Sequence, residues 1–85
     1  MSEPIHDSPL PFVGPDGMRY AVRVSAAERS DGTWMAWLEF HPEAGPVRRT
    51  DRETSQPNRD AVLYWATGLE PIYLEGAFDR SYVAL

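Results

Sequence analysis

The chain has no cysteine and no lysine among its 85 residues. Without cysteine there are no disulfide staples, thiolate zinc sites, iron–sulfur clusters or cysteine nucleophiles. Without lysine there is no Schiff-base chemistry and no phosphate loop of the Walker type, since both need a lysine amine. Long apolar runs are missing as well; none approaches the ~20 residues that span a bilayer. Residues 1–15 hold no basic residue followed by an apolar core, so they do not read as a signal peptide. A cytoplasmic protein without membrane contact is expected. Histidine is scarce, with only His6 and His41. Glu39, His41 and Glu43 converge only if a strand runs on through Pro42, which argues against a metal site. No serine sits in a Gly-x-Ser-x-Gly elbow, and the acidic pairs Asp51/Glu53 and Glu70/Glu75 have no cleft to share. No catalytic residue, metal or cofactor is expected, and the chain reads as a non-enzyme.

What is present fits one small folded domain with a thin core. Hydrophobic residues make up 42% and charged residues 25%, which sets the chain apart from disordered sequences. Thirteen acids oppose eight arginines, for a net charge of −5. An acidic chain is a poor general binder of phosphate backbones. The charge is uneven: Arg48–Arg59 holds four arginines and two acids, while the remainder is strongly acidic.

Pro4, Pro9, Pro11 and Pro15 bar residues 1–15 from a helix or a central strand. This segment reads as a flexible proline-rich arm, and residues 16–85 as a single small α+β domain. Gly14-Pro15-Asp16-Gly17 marks a turn. Residues 18–26 alternate as a strand, with Tyr20, Val22 and Val24 on one face and Arg19, Ala21, Arg23 and Ser25 on the other. Asp31-Gly32 turns the chain into a second strand over 33–40. Trp34, Ala36, Leu38 and Phe40 form its inner face, and Thr33, Met35, Trp37 and Glu39 its outer one. A turn at Glu43–Pro46 leads to a short third strand over 46–50. Thr54 or Ser55 is placed to cap a helix over 57–67 with Pro57 in its first turn, and Gly68 to end it in the left-handed region. Residues 71–82 carry helical spacing, with a brief strand at Ile72–Leu74 as the alternative. The pattern is β-β-β-α-α or β-β-β-α-β, a three-stranded antiparallel sheet with helices on one face. Val62, Trp65 and Leu69 are expected to pack on that inner face.

Two groups of residues stand out as binding candidates. Arg48, Arg49, Arg52 and Arg59 lie in a polar stretch whose forked guanidinium groups suit carboxylate or phosphate partners. The alternative is internal pairing with Asp51, Glu53 and Asp60. Met35 and Trp37 are large apolar residues on the face opposite the core, with Arg19 and Arg23 beside them for stacking on the indole. That face is covered by the arm through Leu10 and Phe12, by a second copy in a homodimer, or by another partner. Tyr64, Trp65 and Tyr73 read as core aromatics.

The strand Tyr20-x-Val22-x-Val24, the second strand closing at Pro42, the turn at Gly45 and the polar run into the helix at Thr50–Ala66 come in a familiar order. This order resembles the N-terminal domain of HicB-type antitoxins, a partial double-stranded-RNA-binding-like fold. The resemblance spans about Arg19–Leu69 and assigns no functional residue. It implies a partner that is a small basic ribonuclease toxin. The expected function is a non-catalytic interaction module, dimeric and binding a basic protein. The alternative is nucleic-acid or small-ligand binding through the Arg48–Arg59 edge.

Overall fold

Alternation of apolar and polar residues dictates the two longest strands, and they form the centre of the sheet. A computed structural model describes residues 1–84; Leu85, the end of the expected domain, lies outside them. The elements are β1 (Ser2–Asp7), β2 (Phe12–Val13), β3 (Arg19–Glu28), β4 (Trp34–Pro42), β5 (Arg48–Arg49), β6 (Thr54–Gln56), α1 (Arg59–Thr67), α2 (Pro71–Arg80) and β7 (Tyr82–Val83). β3 and β4 pair antiparallel from Tyr20 opposite Pro42 to Glu28 opposite Trp34. β1 and β2 share the free side of β3, β6 and β5 share the free side of β4, and β7 pairs with β5. The result is an open seven-stranded antiparallel sheet, not a three-stranded one.

The additional strands escape a sequence reading for separate reasons. Residues 1–15, set apart from the domain by their prolines, join the sheet as β1 and β2. Pro4 is tolerated because β1 is an edge strand, and the register slips between Pro4 and His6. Thr54–Gln56 is polar, yet it extends the ladder against Trp34–Ala36. Thr54 and Ser55 therefore cannot cap α1; Asn58 does so, its side-chain oxygen accepting from the Ala61 N–H at 2.8 Å. Gly68 ends α1 without left-handed backbone, at φ −96°, through an N–H donated to the Trp65 carbonyl. Residues 71–80 are helical, with Pro71 in the first turn. The hairpin turn at Asp31-Gly32 does need glycine, with Gly32 at φ 86°.

Both helices lie over one sheet face. Val22, Val24, Ala26, Ala36, Leu38 and Phe40 are buried there against Val62, Ala66, Ala77 and Phe78. Trp34, Trp65 and Leu69 pack partly buried around them. Phe12, Tyr20, Phe40 and Phe78 form an aromatic cluster with centroids 5.1–6.3 Å apart, in tilted and edge-on contacts that suit ring quadrupoles. Phe12 thus covers the helix side of the sheet, which rules it out as the cover of the Met35/Trp37 side. Among the described residues no helix is long and apolar enough to cross a membrane.

Candidate functional site: the helix-free face of the sheet

Side chains alternate along a strand, so the residues between the core positions project from the opposite face. β3 sends Arg19, Ala21, Arg23, Ser25 and Ala27 there, and β4 sends Met35, Trp37, Glu39 and His41. Trp37 is 6% exposed, so it is buried on a face that carries no helix. Its cover is the guanidinium of Arg49, 4.5 Å above the ring centroid, and not Arg19 or Arg23. Met35 is half-buried beside it.

Glu39 organises this region. Its carboxylate accepts from Trp37 Nε1 at 3.0 Å and from His41 Nε2 at 2.9 Å. Burial works against its charge, but hydrogen bonds from His41, Trp37 and Ser25 outweigh that and hold the carboxyl below the usual glutamate range. A carboxylate partner fixes Nε2 as a protonated nitrogen of His41. Arg23 stands opposite Glu39 in register and donates through Nε to Asp7 Oδ1 at 2.8 Å. Glu43 lies past the end of β4, and among the described residues no three His, Asp or Glu side chains are grouped to hold a metal ion.

The four arginines of the polar stretch do not form one edge. Arg48 and Arg49 are consecutive in β5 and therefore face opposite ways. Arg48 turns to the helix side, where it donates to Ser81 Oγ at 2.9 Å and to the Ser81 carbonyl at 2.6 Å, 5.0 Å from the Phe78 centroid. Arg49 turns to the helix-free side. Arg52 is exposed in the connection to β6, and Arg59 donates to Glu3 in β1 at 3.0 Å. The expected internal partners are exchanged too. Glu53 pairs with Arg80, and Asp51 accepts from the Tyr82 hydroxyl at 2.8 Å.

A cleft of about 460 Å³ opens on the other side of the sheet, between residues 6–13 and the α1–α2 corner. Leu10, Phe12, Val22, Val24, Leu69 and Leu74 line it, and no arginine does. The arginine stretch and the concavity are therefore different places.

Sequence spacing finds Trp37, Met35 and Arg49 but not what joins them. Asp7 is missed because its segment reads as an arm. Thr50 is missed because it is fully buried: it accepts from the Leu38 N–H through Oγ1 at 3.1 Å and so ties β5 to β4. The chain matches no protein-family model, no curated protein and no solved structure.

Proposed function

We propose that this chain is a non-catalytic interaction module that docks protein on the helix-free face of its sheet. One observation carries the reading: a tryptophan capped by arginine sits among paired opposite charges on a face that neither helix covers. Aromatic and arginine side chains inside a polar rim are the composition of protein interfaces. The edges of the sheet suit docking less. β1 carries Pro4 and a register slip, and β7 has two residues, the devices that blunt strand addition.

A basic partner is favoured by a separate observation on the helix side. Tyr64 and Ile72 are 82% and 75% exposed there. Asp60, Glu70, Glu75 and Asp79 are exposed on the same layer, while Arg59 and Arg80 are occupied by Glu3 and Glu53. Acidic charge around apolar anchors steers a basic protein into contact. The resemblance to HicB-type antitoxins fits this arrangement and makes a small basic toxin the form such a partner takes.

The test is capture from native lysate by the tagged full chain, with and without nuclease. The expected result is a stoichiometric protein that survives nuclease, its own untagged copy included. Arg23→Glu abolishes capture at the sheet face, and Tyr64→Ala weakens capture of the basic protein. Partners released by nuclease would replace this reading with nucleic-acid binding.

A further inference from the structure

The helix-free face carries a row of charges that runs across the strands. Asp7 in β1 stands opposite Arg23 in β3, Arg23 opposite Glu39 in β4, and Glu39 opposite Arg49 in β5. Neighbouring strands lie ~4.8 Å apart, so the row is about 14 Å long. Its signs alternate: minus, plus, minus, plus. The row is balanced, so it selects neither an acidic nor a basic partner.

An alternating row with an even number of members is its own complement under one symmetry. A two-fold axis parallel to the strands, set between two facing sheets, reverses the row. Asp7 of one copy then meets Arg49 of the other, and Arg23 meets Glu39. A two-fold axis perpendicular to the strands places each charge on its like. Closed dimers use such self-complementary patches. Beside the row, Ser25 and Ala27 of β3 stand opposite Trp37 and Met35 of β4. These small residues leave a flat strip that a second sheet can approach at the ~10 Å spacing of stacked sheets.

We infer that two copies of this chain pack face to face through their helix-free sides, with the Asp7–Arg23–Glu39–Arg49 row of one matched in reverse to the other. The inference rests on the reading that this face is an interface, and it names the occupant as a second copy. The charges set orientation and exclude other arrangements more than they supply affinity.

Light scattering of the purified full chain tests it. The expected mass is twice that of the 9.6 kDa chain. Asp7→Arg, at an exposed position, keeps the fold by circular dichroism and raises the dimer dissociation constant about a hundredfold through like charges at both ends of the row. Arg49→Asp weakens the dimer likewise, and a mixture of the two variants restores a heterodimer because the reversed charges meet. Tyr64→Ala, on the helix side, leaves the mass unchanged. A wild-type monomer at the highest soluble concentration, or an Asp7→Arg variant that stays dimeric, overturns the inference. A monomer that still captures another protein through Arg23 retains the interface and loses only the second copy. A monomer that captures none loses both.

Discussion

Glu53 and Glu39 make a controlled comparison within one molecule. Each carboxyl is held below the usual glutamate range, and in each the cost of burial is outweighed by hydrogen bonds. Glu53 sits on the helix side with its side chain only 7% exposed. It accepts from the Tyr73 hydroxyl and from Arg80 Nη2, both at 2.5 Å. Arg80 lies 5.6 Å from the Tyr73 centroid, and Trp65 meets that ring edge-on at 6.0 Å. The group clamps α2 to the connection between β5 and β6. Glu39 gathers Trp37 and His41 within its own strand, fastens no helix and faces outward. The same chemistry locks the fold on one side and leaves an ordered charged surface on the other. The two carboxylates are therefore expected to answer differently to substitution, Glu53 chiefly through stability and Glu39 chiefly through the surface proposed for association.

The strongest way to break this division is through the aromatic cluster. Phe40 is fully buried and meets Phe12, Tyr20 and Phe78. Phe40→Ala is expected to cost about 3–5 kcal/mol from lost burial and the cavity left behind. Urea unfolding followed by tryptophan fluorescence measures it. A loss below 1 kcal/mol would mean that the helix side is not where stability resides.

The clamp comes next. Glu53→Ala is expected to cost about 2 kcal/mol, since it removes charge-assisted hydrogen bonds and leaves the Tyr73 hydroxyl without its acceptor. Tyr73→Phe tests the same contact from the other side and costs less, because Arg80 still neutralises Glu53. The Tyr73 phenol is itself held up to about 12, first by burial and then by its hydrogen bond to Glu53. A raised phenol pKa contributes stability that is intact below the ordinary tyrosine value near 10. That contribution is lost as pH rises from there through about 12. The stability of Tyr73→Phe is therefore expected to fall less steeply than that of the wild type as pH rises from about 10 to about 12.

Acid sharpens the comparison without substitution. Both glutamates have lowered folded-state pKa values, so each contributes stability that is present above the unfolded glutamate value near 4.3. That contribution falls as pH drops through the folded values. Urea midpoints measured from neutrality to pH ~3 should decline for the wild type. The decline should be shallower for Glu53→Gln and Glu39→Gln. If only the Glu53 variant flattens the curve, Glu39 matters for the surface alone.

These two sides were unequally legible in the sequence. The helix side was plain because burial writes a period: Tyr20, Val22 and Val24 against Ala36, Leu38 and Phe40, with Val62, Trp65 and Leu69 above them. The turn at Asp31-Gly32 and the helix over Pro71–Arg80 followed from local chemistry. Two- and three-residue strands write no period, so β2, β6 and β7 could not be read. The helix-free face depends on register, which brings Asp7 and Arg49 into one row although 41 residues separate them in the chain. A run of arginines looks like a patch in one dimension, but pleating sends Arg48 and Arg49 to opposite faces. Trp37 looked exposed because its cover, Arg49, arrives from a different strand.

The smallest expected effect separates the faces most cleanly. Asp7 and Arg23 form an ion pair at 2.8 Å with side chains 68% and 40% exposed. An exposed pair of this kind contributes ~0.5 kcal/mol or less to folding, because water solvates each charge almost as well alone. Asp7→Ala should therefore leave the urea midpoint almost unchanged. The pair holds Asp7 below its ordinary range, chiefly through the hydrogen bond from Arg23. If the row of charges orients a second copy, the same substitution weakens the dimer while sparing the monomer, and added salt weakens it further by screening the outer contacts. A variant that loses stability and association in proportion would mean that Asp7 serves the fold. A variant that loses association alone assigns the row to recognition, which is the distinction that Glu53 and Glu39 draw at the centre of each face.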